Sequence, residues 1–322
     1  MKTLVTGASG CLGWALCERL LADPRISEVR GLVRRESAEL PEGVGRFVGD
    51  LADGESLKRA ANGVDLVFHL AALVHAPDGS PEAFHEANVV GTGRLLDSLD
   101  RDSPPRVVFF STVAVYGEAT PPTGIAESTQ PAPATPYAAS KLAAEGIVRA
   151  WSEREGGLCA ILRVATVYGA RDRGNMISML RAIDNRRFFL LDGGRAKKTV
   201  VSARNVAEAA VCAALSPSSV LEGLGQVVVA DPSPVTACEL AVAMAVALGN
   251  PQRLWSIPAS LARLGARILG KRSPVSPDQV KRLCAHNVYR LGALTKIPGY
   301  EPKAGLSEGL AEAAAWLRKI DG

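Results

Sequence analysis

Residues 2 to 14 read K-T-L-V-T-G-A-S-G-C-L-G-W, and this stretch decides the fold. The run from Lys2 to Thr6 is typical of a strand, and the run from Trp14 to Leu21 is typical of a helix. Glycines at 7, 10 and 13 permit a tight turn that a ligand can approach closely, and a helix start favours negative charge. The stretch therefore predicts a dinucleotide site. The alternative interpretation, a tight connection between strand and helix without a ligand, is less favoured. Its candidate contacts are Gly7, Ser9, Gly10, Cys11, Leu12 and Gly13.

The strand predicted over Glu28 to Val33 ends in two arginines, Arg34 and Arg35. A carboxylate at this place would bind the ribose 2′-hydroxyl of NAD, whereas guanidinium groups accommodate a 2′-phosphate. The pair therefore favours NADP(H), with NAD as the alternative. The competing interpretation is that both arginines are simply solvated.

Strands and helices alternate up to about residue 165, which predicts an α/β fold with a doubly wound parallel sheet of the Rossmann type. We expect a dinucleotide-binding domain over 1–165 plus about 198–230. A smaller substrate domain would take about 166–197 plus 231–322. Beyond the first two strands, the predicted members are Arg46 to Val48, Val64 to Leu70, Arg106 to Ser111, Leu158 to Val164 and Gln226 to Ala230.

A second informative stretch, T-P-Y-A-A-S-K, covers Thr135 to Lys141. Thr135 is a suitable N-cap and Pro136 suits the first helical position, so a helix is predicted from Tyr137 onward. Tyr137 and Lys141 then share one helix face. A cation held beside a phenol favours the phenolate, so the pair predicts acid/base chemistry.

With these motifs, the whole chain resembles the extended short-chain dehydrogenase/reductase family, in its nucleotide-sugar epimerase/dehydratase branch. Further landmarks occur in the order that this family shows. They are Asp50-Leu51, His69-Leu70-Ala71-Ala72, Asn88-Val89-Val90-Gly91-Thr92, Ser111-Thr112-Val113-Ala114-Val115-Tyr116-Gly117 and Arg163-Val164-Ala165-Thr166-Val167-Tyr168-Gly169.

The resemblance implies roles for individual residues. Tyr137 would be the general acid/base, Lys141 would bind the nicotinamide ribose and lower the tyrosine pKa, and Thr112 would bond the reacting oxygen. Further cofactor contacts implied are Asp50, Leu51, Leu70, Ala71, Ala72, Asn88, Ser111 and Val164, and the substrate contacts implied are Thr112, Thr166, Asn175 and Lys198.

The favoured reaction is hydride transfer at C4 of a nucleotide-diphosphate sugar by a 4-ketoreductase. The alternatives are a 4-epimerase with tightly bound NAD, a reductase of an apolar ketone and a non-catalytic NADP(H)-binding sensor. Relatives that dehydrate sugars at C4 and C6 carry an Asp-Glu pair after the catalytic Thr. Val113 and Ala114 stand there in this chain, and neither moves a proton, so a dehydratase is disfavoured.

Composition sets limits on partners. The 322 residues are 47% hydrophobic with a net charge of +4, enough for a sizeable core. No apolar run is long enough to span a bilayer, so we expect a cytoplasmic protein without a membrane partner. The six cysteines and four histidines lack metal-ligand spacing, so no metal is expected. Residues 171 to 198 hold eight Lys or Arg against three Asp, which suits an anionic substrate better than nucleic acid, with an ordinary solvated face as the alternative. The family resemblance also implies a homodimer.

Overall fold

A seven-stranded parallel sheet forms the centre of the computed structural model, which describes residues 1–76, 79–251, 254–270 and 276–321. From one edge to the other, the strands run β11, β6, β5, β4, β1, β2 and β3. They comprise β1 (Lys2–Thr6), β2 (Glu28–Val33), β3 (Gly45–Val48), β4 (Leu66–His69), β5 (Arg106–Thr112), β6 (Cys159–Val164) and β11 (Gln226–Val229). The order reverses between β1 and β4, which places the ligand crevice of such a fold at the carboxyl ends of these two strands.

Helices cover both faces of this sheet, and three short strand pairs lie beyond its carboxyl edge. The helices are α1 (Cys11–Leu21), α2 (Gly54–Ala61), α3 (Pro81–His85), α4 (Gly91–Asp97), α5 (Pro136–Glu155), α6 (Asn175–Asp184), α7 (Ala203–Ala214), α8 (Ser218–Leu224), α9 (Ala237–Ala247), α10 (Ala259–Leu269), α11 (Pro277–Cys284) and α12 (Leu306–Asp321). A π-helical segment, Glu86–Val90, joins α3 to α4, and the remaining strands are β7 (Thr166–Tyr168), β8 (Phe189–Leu191), β9 (Lys197–Lys198), β10 (Val200–Ser202), β12 (Val235–Thr236) and β13 (Trp255–Ile257).

The predicted doubly wound parallel sheet is confirmed, and every strand predicted for it is present. The observed elements differ from the predicted ones only in the residues at which they begin or end. The first helix begins at Cys11 rather than Trp14, because the last glycine of the turn, Gly13, is already helical. The fourth strand is shorter than Val64 to Leu70, since the chain turns away after His69 to contact Thr6.

The helix that carries the Tyr-Lys pair begins and ends as its sequence dictates. Thr135 is the N-cap, and its side chain accepts a hydrogen bond from the Ala138 amide at 3.2 Å. Pro136 occupies the first turn, and the helix ends at Gly156, whose φ of +70° suits a glycine.

The buried apolar side chains form three clusters. Two of them fill the space between the sheet and the helices on its two faces. The third lies outside the sheet and joins α6, α9 and α12 through side chains such as Leu180, Met244 and Leu310. This cluster draws on the stretches assigned above to a smaller domain, and the domain boundaries themselves stay a prediction.

Across the described ranges, none of the helices combines the length and the apolar character that crossing a bilayer requires. This finding does not test the predicted cytoplasmic location, which stays a prediction.

Gly13 provides a direct test of the glycine turn. An added Cβ at Gly13 would lie 2.2 Å from the Gly7 carbonyl oxygen and 2.8 Å from the Ala8 Cα, both of them backbone atoms. We expect Gly13→Ala to lower the free energy of unfolding by about 1–3 kcal/mol, as overpacking does, in urea titrations.

Gly146 in α5 is the matched control, because nothing lies within 4 Å of a Cβ added there. Gly146→Ala should raise stability by about 1 kcal/mol through helix propensity. Equal effects of the two substitutions would contradict the close packing described for the turn.

Candidate active site

The glycine turn forms one end of the candidate site. Gly7 has a φ of +72°, and a Cβ there would lie 3.0 Å from the Ala71 amide nitrogen. The Gly10 amide donates to the Gly7 carbonyl at 3.1 Å, and α1 then begins at Cys11 without a side-chain cap. The turn therefore presents bare backbone and a helix start to the crevice, which fits a dinucleotide pyrophosphate.

A cavity of about 540 Å³ opens over this turn and runs to the tips of β2 and β3. Arg34 lies at its far end, and the ion pair between Arg94 and Glu86, 2.7 Å apart, borders it. Nine of the residues predicted to contact a cofactor line this cavity: Gly7, Ser9, Gly10, Arg34, Asp50, Leu51, Leu70, Ala71 and Ala72. We refer to it as the first cavity.

Other predicted cofactor residues lie beside the first cavity rather than on its wall. Cys11, Leu12 and Gly13 form the first turn of α1, and burial raises the pKa of the Cys11 thiol to about 12. Arg35 is exposed to solvent, and Val164 is buried at the end of β6. Their contacts with a cofactor stay predictions.

A chain of hydrogen bonds behind the first cavity links three elements. The Thr6 Oγ1 accepts from the Leu70 and Ala71 amides at 3.1 and 3.0 Å, so its proton is left for His69 Nδ1, 2.7 Å away. His69 Nε2 must then carry the imidazole proton and donate to the Thr92 Oγ1 at 2.9 Å. Burial lowers the pKa of His69 to about 3, so the imidazole stays neutral.

Asn88 connects this chain to the helix that carries Tyr137. Its Oδ1 accepts from the Leu73 amide at 2.7 Å, and its Nδ2 donates to the Leu73 carbonyl and to the Ser140 hydroxyl, both at 2.9 Å. Ser140 in turn donates to the Tyr137 carbonyl at 2.8 Å. Asn88 therefore positions α5 and the wall of the first cavity, and its place in a π-helical segment is typical of functional sites.

Tyr137 and Lys141 lie on one face of α5. Lys141 is almost fully buried, with its Nζ 4.0 Å from the centroid of the Phe109 ring. Burial raises the pKa of Tyr137 to about 12 and lowers the pKa of Lys141 to about 7. That Lys141 lowers the tyrosine pKa stays a prediction, because loss of water around the phenol sets the direction of the shift in this structure.

Ser111 and Thr112 face opposite sides at the end of β5. The Ser111 hydroxyl donates to the buried Glu145 carboxylate at 2.6 Å, and Glu145 also accepts from Arg163 at 2.9 and 2.7 Å. The Ser111 side chain is thus bonded to a buried carboxylate inside the protein. Its contact with a cofactor stays a prediction. The Thr112 Oγ1 accepts from the Ala114 amide at 3.2 Å, which leaves its proton for another acceptor.

A second cavity of about 340 Å³ begins at Thr112 and extends toward α11. Three of the predicted substrate contacts line it: Thr112, Thr166 and Asn175. Six further polar residues line it that no sequence motif marks as substrate contacts: Glu118, Thr135, Thr199, Arg282, Asn287 and Tyr289. Arg282 pairs with Glu118 at 3.1 Å at the rim, 164 positions away in the chain, so no local pattern signals the pair.

The fourth predicted substrate contact, Lys198, lies elsewhere. Its Nζ donates to the carbonyls of Arg282 and Ala285 and to the Asn287 Oδ1, at 3.3, 2.7 and 3.0 Å. These bonds use all three protons of the ammonium group, and Lys198 does not line the second cavity. Its role as a diphosphate contact stays a prediction. Lys198 instead fastens the C-terminal segment that brings Arg282 to the cavity.

Thr199, the next residue, lines the second cavity with a buried hydroxyl group. Its side chain is about 5% exposed, and its Oγ1 has no hydrogen-bond partner among the described residues. A buried hydroxyl without a partner is costly unless something satisfies it. The position on a cavity wall therefore points to a hydrogen bond with a ligand.

The family model of the NAD-dependent epimerase/dehydratase family matches residues 3–229. The chain belongs to this family. The family resemblance read from the motifs is thus confirmed, and so is the assignment as an enzyme of the short-chain dehydrogenase/reductase type.

Two relatives match nearly the whole chain. A 2-alkyl-3-oxoalkanoate reductase of Stenotrophomonas maltophilia is 31% identical over 98% of this chain and 99% of its own length. The N-acetyl-alpha-D-glucosaminyl-diphospho-ditrans,octacis-undecaprenol 4-epimerase of Escherichia coli O157:H7 is 29% identical over 96% and 93%. Members similar to this chain therefore include both reductases and epimerases.

Solved structures of epimerases share the fold of this family member. A UDP-glucose 4-epimerase of Thermus thermophilus in complex with NAD is 26% identical, covers 99% of each chain and superposes with a TM-score of 0.77. A UDP-glucuronic acid 4-epimerase of Bacillus cereus in complex with NAD is 19% identical, covers 100% of each chain and has a TM-score of 0.79. The latter likeness concerns the fold alone.

Metal ligation has no candidate site among residues 1–76, 79–251, 254–270 and 276–321. No group of three or more His, Cys, Asp or Glu side chains is placed there to hold an ion.

His69 makes the stability of this family member depend on pH. Its pKa is about 3 when folded, against about 6.5 in an unfolded chain. The stability gained from the neutral buried imidazole is complete above the unfolded pKa and is lost as pH falls toward the folded one. Linkage gives a loss of roughly 2 kcal/mol at pH 5 relative to pH 7.5.

We therefore expect His69→Gln to lose less stability than the wild type between pH 7.5 and pH 5, in urea titrations at both values. A wild-type pH dependence retained in full by His69→Gln would contradict the buried neutral imidazole.

Proposed function

We propose that this chain is an NAD(P)-dependent 4-epimerase of a diphosphate-linked hexose. The observation that carries the proposal is the polar lining of the second cavity where it meets Thr112. Hydroxyl and amide side chains suit a substrate with several hydroxyl groups, and Arg282 is placed at the rim for an anionic group. The lining side chains of this kind are Thr112, Thr135, Thr166, Asn175, Thr199 and Asn287.

The residues of the chain divide the chemistry between them. A nicotinamide dinucleotide, when bound across the carboxyl edge, supplies the acceptor and donor of a hydride. Tyr137 takes and returns the proton of the sugar hydroxyl. The ammonium group of Lys141, one helical turn along α5, favours the phenolate form of Tyr137. Thr112 donates its free proton to the reacting oxygen, and Asn88 holds α5 in place through Ser140. Fixed geometry of this kind provides much of the rate.

Two neighbouring side chains argue against elimination of water. Val113 and Ala114 follow Thr112, line the second cavity and carry no group that could move a proton. The 4,6-dehydratase chemistry of some family members therefore lacks its acid/base pair at these positions.

A 4-ketoreductase using NADP(H) is the second candidate, and Arg34 favours it. Arg34 lines the first cavity at the tip of β2, where NAD-binding folds place a carboxylate. The homodimer implied by the resemblance remains part of either proposal. Reduction of an apolar ketone, which the name of the Stenotrophomonas relative suggests, fits the polar lining less well.

UDP-N-acetylglucosamine carrying deuterium at C4 tests the proposal. The reaction is run in ordinary water and followed by NMR. We expect the purified chain to form the C4-inverted sugar with the deuterium still at C4. Consumption of NADPH with a 4-keto sugar, without any inversion, would replace the epimerase by the ketoreductase. Inactivity toward both would contradict C4 chemistry.

Tyr137→Phe should reduce this turnover by about 10²-fold or more, because the proton carrier is lost. Binding of the dinucleotide should persist, measured by calorimetry. Tyr300→Phe is the matched control, since its buried phenol hydroxyl has no partner among the described residues and lines neither cavity. Undiminished turnover in Tyr137→Phe would refute the assignment.

Thr199→Val tests the hydroxyl on the cavity wall. Loss of one hydrogen bond of about 0.5–1.5 kcal/mol should raise KM roughly 2- to 12-fold, with stability unchanged or higher. Thr3→Val removes another buried hydroxyl that lacks a partner, in β1, and should leave KM unchanged. Equal KM values in both variants would show that Thr199 does not bind substrate.

A further inference from the structure

Helix α10 has its large apolar side chains on the outside. Leu261, Leu264 and Ile268 are 59%, 53% and 75% exposed, and their spacing of three and four places them on one face. The buried side of the helix carries small residues, Ala259 and Ala266, at 5% and 4%. A helix on the surface of a globular protein normally has the opposite arrangement, with its apolar stripe against the core.

The neighbouring elements extend this apolar surface. Helix α11 packs against α10, and its Leu283 is 52% exposed. Trp255, in the strand just before α10, is 71% exposed. We call these five residues the α10–α11 face: Trp255, Leu261, Leu264, Ile268 and Leu283. Large apolar side chains exposed together on packed helices mark an interaction site.

Positive charge accompanies the α10–α11 face. Arg263 and Arg267 are exposed on one flank of the apolar stripe, and Lys281 and Arg282 are exposed on α11. Between residues 259 and 284 the sequence has six Lys or Arg and a single acid, Asp278. This stretch therefore carries more than the whole net charge of +4, and the remainder of the chain is close to neutral.

We propose that the α10–α11 face seats on the surface of an anionic phospholipid bilayer, with α10 lying in the plane of the interface. Leucine, isoleucine and tryptophan next to arginine are the composition of interfacial helices. A second copy of the chain fits less well, because a self-complementary contact would bring the same arginines together. The earlier expectation of no membrane partner rested on run length, which detects spanning helices but not interfacial ones.

The seated orientation has a consequence for access to the site. Arg282 lies on α11 and also lines the second cavity. The mouth of that cavity would therefore face the lipid headgroups within about one helix diameter, roughly 10 Å.

Sedimentation with vesicles tests this proposal on the full chain. Vesicles of phosphatidylcholine alone are compared with vesicles that also contain phosphatidylglycerol, at low and at high salt. We expect binding to the anionic vesicles that weakens with salt, and little binding to the neutral ones. The double variant Leu264→Ser with Ile268→Ser should bind at least about tenfold more weakly, and Arg263→Gln with Arg267→Gln should lose the salt dependence.

Val242 and Val246 of α9 provide the matched control, since they are 49% and 63% exposed and lie outside the α10–α11 face. Their double serine variant should bind vesicles like the wild type. Three results would overturn the proposal: no binding of the wild type to anionic vesicles, equal loss in the α9 variant, or a wild-type dimer that the Leu264/Ile268 variant dissociates. Circular dichroism verifies that each variant is folded.

Discussion

The buried carboxylate of Glu145 holds helix α5 in register on the sheet. It accepts hydrogen bonds from Ser111 on β5 and from Arg163 on β6, and none of the three side chains is more than about 5% exposed. A buried ion pair of this kind is costly to break, by about 3–5 kcal/mol, because the remaining charge has no water. On the same helix, Tyr137 lies about two turns and Lys141 about one turn before Glu145, so their position over the carboxyl edge depends on this contact.

Contacts far apart in the sequence then complete the second cavity. Lys198 fastens the segment from Arg282 to Asn287, and the loop that carries Glu118 closes on the same segment through the Asn287 Nδ2, 2.9 Å from the Glu118 carbonyl. Of the residues that line the cavity, Arg282 carries the positive charge, and Lys198 holds the segment on which Arg282 lies. In this structure the Lys198 ammonium is bonded to three protein oxygens, which the sequence around it does not reveal.

The parts of the fold that could be predicted from sequence are those with local causes. Gly7 adopts a positive φ, and Thr135 caps α5. The glycine turn and helix α5 can therefore be predicted from a few neighbouring residues. The second cavity could not be read in this way, since Arg282 meets Glu118 only after the chain has folded. Spacing along a helix likewise reveals that a lysine lies near Tyr137 but not that both groups are buried, and burial is the largest cause of both pKa shifts. The outward face of α10 repeats apolar residues every three or four positions, so the length of apolar runs does not reveal it.

In our proposal, the carboxyl edge of the sheet binds a nicotinamide dinucleotide for hydride transfer at one carbon. The most direct measurement exposes the purified chain to equal concentrations of NAD and NADP, removes free nucleotide, denatures the protein and identifies what it releases by mass. The account predicts stoichiometric NAD for an epimerase, and NADP in its place would favour the ketoreductase through Arg34. Release of neither nucleotide, from protein shown to be folded, would contradict the account.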